Sequence, residues 1–368
     1  MKILVTGGAG FIGSHLVDAL VAKGHRVTAY DRLDPQVHAG KKPAYLNPHA
    51  EYVFGDVRDS ASLKKVLKRS QVVFHEAAAV GVGQSMYQIR HYIDVNTRGT
   101  AVLLDLLVNE KTAVRKLIVA SSMSIYGEGR YACRRCGPVD PPLRADGQLK
   151  KGNWELACPR CRGLLSPKPT PEEKPLHATS IYAFSKRHQE EMCLLIAQAY
   201  RFPVVALRYF NVYGTRQSLS NPYTGVCAIF SSRIKNKKPP LIYEDGLQSR
   251  DFVHVSDVVR ANLLVLEKKK ADGRVLNVGT GKPVTILKIA ETLSELYGER
   301  LKPKIVEKYR TGDIRHCSAD ISKLKQLGFS PKIDLEKGLR DLVSWGRRVR
   351  AVDRSEKADR ELREKGLR

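Results

Sequence analysis

Residues 1–31, MKILVTGGAGFIGSHLVDALVAKGHRVTAYD, decide the fold. Lys2 to Thr6 is a short apolar run that stops at glycine, and Phe11 to Lys23 then carries Ile12, Leu16, Ala19 and Leu20 at helical spacing. The stretch reads as strand, tight turn and helix. The turn holds Gly7, Gly10 and Gly13 in the pattern G-x-x-G-x-x-G. Residues without bulk let the backbone bend sharply and approach a pyrophosphate, while Phe11, Ile12 and Gly13 open a helix whose amides and positive dipole end face that charge. A second strand, Arg26 to Tyr30, ends at Asp31, 18 positions beyond Gly13, where a carboxylate can hold the adenosine ribose hydroxyls. Together these features predict a dinucleotide site. Asp31 repels a 2′-phosphate, which favours NAD over NADP, although neighbouring Arg32 keeps NADP open.

Further along, apolar runs at Tyr52 to Phe54, Val72 to Phe74, Leu117 to Ala120 and Val204 to Leu207 alternate with helical segments. That alternation predicts an α/β fold, a Rossmann-like, doubly wound parallel sheet with helices on both faces. From about Asn221 the strands shorten and the helices become irregular, as in a smaller C-terminal substrate-binding lobe. Residues 131–175, rich in Pro, Cys, Arg and Gly, interrupt the pattern and read as an insert. The expected organisation is therefore a dinucleotide-binding domain over 1–130 and 176–220, the insert over 131–175, mainly lobe over 221–345, and a charged tail over 346–368.

The bulk numbers exclude several classes. No stretch reaches the ~20 apolar residues that cross a bilayer, and the glycine-rich start lacks a signal-peptide cleavage site, so a cytoplasmic protein is expected. With 63 basic against 38 acidic residues the formal charge is +25. The basic residues are dispersed, so the charge reads as a solvated surface that attracts anionic substrates and not as a nucleic-acid face. Cys193, Cys227 and Cys317 stand alone and read as packing residues.

A second constellation lies downstream. Tyr182 and Lys186 form Y-x-x-x-K near the start of the helical stretch IYAFSKRHQEEMCLLIAQAY. Four residues apart they share a helix face, where the ammonium can stabilise the phenolate and lower the tyrosine pKa. The run Ala120-Ser121-Ser122-Met123-Ser124 ends a strand in hydroxyls at the carboxyl edge of the sheet, the usual ligand crevice.

With GGAGFIG, GDVRD, HEAA, YIDVN, SSMSIYG, YAFSK, LRYFNVYG, QSRDFVHV and RTGDIRHCSAD, the chain resembles the extended short-chain dehydrogenase/reductase family, specifically its nucleotide-sugar epimerases and dehydratases, over about residues 1–345. The resemblance implies that Asp56 and Val57 flank the adenine, Ala77 and Ala78 line the cofactor, and Asn96 supports the active-site backbone. It makes Tyr182 the acid/base, gives the nicotinamide ribose to Lys186 and the reacting sugar hydroxyl to Ser122, with Ser124 beside it. Asn211, Arg250 and Arg310 would meet the nucleotide diphosphate, for which the planar guanidinium fork is suited, and Asp313 the nucleotide ribose. In the similar 4,6-dehydratases the two residues after the catalytic hydroxyl are Asp and Glu. Here they are Met123 and Ser124, which disfavours dehydration and weakens decarboxylation of UDP-glucuronate. The expected activity is 4-epimerisation of a UDP- or dTDP-sugar, of UDP-glucose/UDP-galactose or dTDP-rhamnose type, through a transient 4-keto sugar. A nucleotide-sugar oxidoreductase is the second reading. A non-catalytic NAD-binding or nucleic-acid-associated protein is a third, opposed by the coupled Ser122, Tyr182 and Lys186. The family also implies a homodimer through the Tyr182 helix and a helix over about 97–110, with Met192, Leu195 and Ile196 as contacts. His254 is expected to be a packed strand residue.

The insert carries Cys133-x-x-Cys136 and Cys158-x-x-Cys161. Two such hooks place four thiolates around one tetrahedral Zn²⁺, a zinc-ribbon-like arrangement whose closed coordination implies a structural role. Arg134, Arg135, Arg160 and Arg162 offset part of its negative charge. The segment is expected to be too polar to build its own core and to lie near the sugar pocket.

Overall fold

The computed structural model describes residues 1–310 and 312–367; Thr311 of the RTGD motif and the terminal Arg368 lie outside the described residues. Seven strands form the main sheet: β1 Lys2–Thr6, β2 Arg26–Asp31, β3 Glu51–Phe54, β4 Val72–His75, β5 Leu117–Ser122, β6 Val204–Tyr209 and β7 Val275–Val278. Their order is β3-β2-β1-β4-β5-β6-β7, and every neighbouring pair is parallel. The chain direction across the sheet reverses between β1 and β4, which makes a crevice at their carboxyl ends.

All six residues of β5 and all six of β6 are buried, because a parallel sheet is covered on both faces. On one face α1, Phe11–Ala22, sends Leu16, Val17 and Leu20 into a core shared with Val258, Ala261 and Val265 of a helix over Val255–Glu267. On the other, α2 over Gly99–Asn109 and α3 over Ile181–Tyr200 contribute Leu103, Leu106 and Cys193. Each such buried side chain stabilises the fold by roughly 1.5–3 kcal/mol relative to exposure. The three solitary cysteines are buried, as packing residues should be.

β7 and the Val255–Glu267 helix belong to the main layers, although both come from the segment read as mainly lobe. The lobe itself has a separate core of Phe230, Ile234, Ile289, Leu293, Leu339 and Leu342 beneath a small sheet of Asn211–Tyr213, Ser249–His254 and Pro283–Thr285. Beyond Arg348 the chain is not a loose charged tail. Ser355–Glu364 is helical, Ala358 and Leu362 are buried, and Glu361 accepts hydrogen bonds from the hydroxyls of Tyr87, at 2.7 Å, and Tyr223. An apolar pair one turn apart anchors a helix that its charge count conceals. Among the described residues no helix is long and apolar enough to cross a membrane.

The insert also departs from expectation. A three-stranded antiparallel sheet of Gly137–Val139, Arg130–Cys133 and Leu165–Lys168 buries Tyr131, Val139, Leu156 and Leu165 together with Cys133 and Cys158. The segment thus has a small core of its own, which sequence polarity hid because its apolar residues are few and far apart.

Candidate active site

The glycine turn sits at the switch point. A Cβ at Gly13 would lie 2.1 Å from the carbonyl oxygen of Gly7, and one at Gly7, whose φ is +70°, would lie 2.8 Å from the amide nitrogen of Ala77. Neither position can hold a side chain without moving backbone. Gly10, at the N-cap of α1, offers no side-chain cap, which leaves the helix amides for an anion. Asp31 accepts from the amides of Ala9 at 3.0 Å and Leu33 at 2.8 Å, so the carboxylate is pinned against the turn. Arg32 pairs with Asp34 and, at 3.3 Å, with Asp56. Asp56 is also gripped by Arg58 at 2.8 and 2.6 Å, and that pairing pulls its pKa down to about 2. Arg32 is therefore committed to carboxylates. These residues fit a dinucleotide with an unphosphorylated adenosine ribose.

The loop after β4 is held by Asn96. Its amide accepts from Ala79 at 2.7 Å and donates to the Ala79 carbonyl at 3.0 Å and to Ser185 of α3 at 2.9 Å. One side chain thereby ties the strand end bearing Ala77 and Ala78 to the helix bearing Tyr182. Val57 is buried where Gly99 approaches it, in the core beneath that same face.

Ser180 caps α3 through the Ala183 amide at 3.1 Å, and the helix begins one residue before Tyr182. Ser122 faces Tyr182 closely enough to draw its pKa down, and its Oγ lies 2.9 Å from that of Ser124. Ser121 points the other way, onto Glu190 at 2.6 Å, so Ser122 is the strand-end hydroxyl that faces the crevice. Met123 is buried with Tyr126 and Phe210 and presents no polar group. Lys186 is buried and donates to the carbonyl of Ala120; burial lowers its pKa to about 8, opposed by Glu76. Burial raises the pKa of Tyr182, and only Ser122 opposes it. The expected lowering by Lys186 is not among the influences on Tyr182: the ammonium is turned to the Ala120 carbonyl.

Glu76 escaped the sequence reading. Its pKa is raised to about 7 by burial, and its carboxylate accepts from Tyr209 at 2.8 Å. The available signal was an acid in the middle of the apolar HEAA run. His254 is buried and caps the Val255–Glu267 helix through the Ser256 amide, as a packed residue would.

At the lobe side, Arg310 stacks on Tyr243 with 4.2 Å between its guanidinium and the ring centre. Arg250 donates to the carbonyls of Arg315 at 2.9 Å and Ile314 at 2.6 Å. Asp313 lies in the field of both arginines, which offsets the upward push of burial on its pKa. Asn211 keeps a buried side-chain oxygen, and Arg310 its Nε, without a protein partner. Unpaired buried polar atoms in a cleft invite a polar ligand.

In the insert the four cysteine sulfurs all lie within 4.8 Å of one another. Four sulfurs at about 2.3 Å from a tetrahedral zinc would be about 3.8 Å apart, so the donor set fits. Amides of Cys136 and Arg135 draw the Cys133 thiol down, while the neighbouring sulfurs push the Cys136 thiol up, as expected of thiols crowded around one point.

Fold and switch-point turn define a Rossmann-like α/β enzyme. The chain belongs to the NAD dependent epimerase/dehydratase family, whose pattern it matches over residues 3–142 and 163–279. It is 36% identical over 348 residues to a dTDP-L-rhamnose 4-epimerase of Burkholderia thailandensis, covering 94% of each chain. Its structure matches that of UDP-glucose 4-epimerase with UDP-glucose from Thermotoga maritima with a TM-score of 0.77 at 33% identity, over 94% of this chain and 99% of that one. The Thermus thermophilus UDP-glucose 4-epimerase complex with NAD gives 0.75 at 30% identity, over 95% and 100%. Relatives named as a decarboxylase and as 4,6-dehydratases also match.

Proposed function

We propose that this chain is an NAD-dependent nucleotide-sugar 4-epimerase that inverts C4 of a UDP- or dTDP-linked sugar through a transient 4-keto sugar. The observation that carries the reading is the surroundings of Ser122. It faces Tyr182, and the next two positions hold a buried methionine and a serine whose hydroxyl lies 2.9 Å from that of Ser122. A proton-transfer pair is present there without the adjacent carboxylates that elimination requires.

In this reading Gly7, Gly10, Gly13 and the amides opening α1 receive the cofactor pyrophosphate, Asp31 the adenosine ribose, and Asp56, Val57, Ala77 and Ala78 the remaining cofactor contacts. NAD supplies an acceptor, and later a donor, for the hydrogen at sugar C4. Tyr182 takes the proton of the C4 hydroxyl and returns it after the keto-sugar has turned over. Ser122 orients that hydroxyl, and Lys186 swings from the Ala120 carbonyl to hold the nicotinamide ribose and the charge on Tyr182. Asn211, Arg250 and Arg310 hold the diphosphate, and Asp313 the nucleotide ribose. The four cysteines hold one structural Zn²⁺. Subunits pair through α2 and α3, where Leu195 and Phe184 are exposed on α3 while Met192 and Ile196 pack partly against the sheet core. Light scattering at micromolar concentration should give a dimer mass; a monomer mass rejects the pairing.

The functional test is proton NMR of UDP-glucose, UDP-galactose and dTDP-L-rhamnose incubated with purified enzyme. Appearance of a C4 epimer without build-up of reduced nicotinamide is expected. Stoichiometric NADH formation would replace the proposal with an oxidoreductase, and loss of CO₂ or water from an added UDP-glucuronate or dTDP-glucose would replace it with a lyase.

A further inference from the structure

The insert meets the rest of the chain through an ionic network that is buried at Arg144, Arg315, Glu128 and Glu244 and exposed at Glu155, and that network ends at residues 313–315. Arg144, from the insert, is buried and forks onto Glu244 at 2.9 and 2.8 Å. The same guanidinium donates to the carbonyl of Asp313 at 3.0 Å and to that of Trp154 at 3.1 Å. Glu155, also from the insert, takes Nε and Nη2 of Arg315 at 2.9 and 2.6 Å. Arg315 is fully buried and spends its remaining donors on Glu244 at 2.9 Å and Asp245 at 2.7 and 2.8 Å. Its own amide is held by Glu128 at 2.8 and 2.9 Å, and Glu128 also accepts from Tyr131 of the insert at 3.1 Å.

The segment gripped in this way is the one that carries the expected nucleotide contacts. Asp313 is held at its carbonyl by Arg144, and Arg250 leans on the carbonyls of residues 314 and 315, which Glu128 and Glu155 fix from the other side. Tyr243, on which Arg310 stacks, precedes Glu244, the carboxylate shared by Arg144 and Arg315. Arg315 spends its side-chain donors on Glu155, Glu244 and Asp245, whereas Arg144 and Arg310 each retain an unpaired buried Nε. Arg144 and Glu155 lie in 143–162, the interval the family pattern passes over, while Glu128 and Glu244 lie in matched segments. From that interval Arg144 reaches Glu244, in a matched segment, and Glu155 reaches Arg315, beyond the matched segments.

We propose that the insert is a positioning element for the nucleotide end of the substrate: Arg144 and Glu155 hold residues 312–316 in the conformation that presents Arg310, Asp313 and Arg250 to a nucleoside diphosphate. Groups held by fixed neighbours lose less freedom on binding than groups on a free loop, so affinity is gained without a direct contact. The inference rests on the nucleotide-sugar reading.

The test uses full-length, zinc- and NAD-replete enzyme carrying Arg144→Met, with Arg144→Met/Glu244→Met as a second variant. Removing Arg144 leaves Glu244 with Arg315 as its remaining cation, and the double variant leaves Arg315 with Glu155 and Asp245, so buried charge stays paired in both. Titration with UDP and with dTDP, hydrogen exchange of peptides spanning 312–316, zinc and NAD content, and steady-state kinetics are measured on each. Expected are at least ~10-fold weaker nucleotide binding, a matching rise in sugar-nucleotide KM with kcat within ~3-fold, and faster exchange at 312–316, with zinc and NAD content unchanged. A folded variant that binds nucleotide within ~2-fold of wild type overturns the role of the insert while leaving the epimerase reading in place. A wild-type enzyme that binds neither UDP nor dTDP overturns both, and slow exchange at 312–316 in the variants overturns the positioning account by itself.

Discussion

Asp31→Asn should convert the cofactor preference of this enzyme, and the size of the change follows from what the carboxylate touches. Asp31 is pinned by the amides of Ala9 and Leu33 and projects from the end of β2 beside the glycine turn. A charged acceptor bonded to a ribose hydroxyl is worth about 1.5–3 kcal/mol, so its replacement by an amide should weaken NAD binding by roughly 10- to 150-fold at 1.4 kcal/mol per tenfold. The same carboxylate opposes a 2′-phosphate. One pair of unit charges 4 Å apart at an effective dielectric constant of 20 repels by about 4 kcal/mol, of which solvent leaves only part. Neighbouring Arg32 is already paired with Asp34 and Asp56, so it does not cancel that repulsion in the native chain. Removing the charge should strengthen NADP binding while NAD binding falls, moving the NAD-to-NADP affinity ratio by at least ~10²-fold. The assay is calorimetric titration of cofactor-stripped protein with NAD and with NADP. A ratio within ~3-fold of the native value, in a variant with native thermal stability, would refute the assignment and reduce Asp31 to a residue that shapes the turn.

Tyr182→Phe removes the proton-transfer group but not the packing of the ring against Tyr92, whose centre lies 6.4 Å away; turnover should fall at least ~10²-fold with NAD content unchanged, and near-native turnover would move the base elsewhere. Cys133→Ser/Cys136→Ser should lose one zinc per chain by mass spectrometry and make residues 131–175 protease-sensitive, yet retain NAD, because neither the glycine turn nor the main sheet contains these thiols. Unchanged zinc content would reject the metal assignment. Glu76 carries a pKa raised to about 7, so the folded state binds its proton more tightly than the unfolded chain, and its contribution is present below the unfolded value and lost as pH rises through about 7. Glu76→Gln should therefore gain thermal stability relative to wild type at pH 8 compared with pH 5, by differential scanning fluorimetry; an equal difference at both pH values would mean that Glu76 is already charged in the folded protein.

The parts of this molecule that could be read from the sequence are those whose cause is local. The strand, glycine turn, helix and terminal acid of residues 1–31 are each set by neighbours a few positions away, and the helix IYAFSKRHQEEMCLLIAQAY has the boundaries Ile181–Tyr200 because Ser180 supplies its cap. β7 was hidden in the lobe segment because four residues, three of them buried in succession, have no period to distinguish them. The terminal helix was concealed by its charge, since only Ala358 and Leu362 of its ten residues are buried. Arg144 was the least legible of all. In a chain with 63 lysines and arginines nothing local marks it, and its partner Glu244 is 100 positions away. The side chains proposed for the chemistry, Ser122, Tyr182 and Lys186, could be singled out because helix and strand geometry forces their spacing. The side chains that hold the nucleotide segment obey no spacing, because burial and charge pairing are satisfied by any two residues the fold brings together. In this chain the insert is placed by the charges it meets, and those belong to Glu244, Arg315 and the backbone of Asp313 and not to Ser122 or Tyr182.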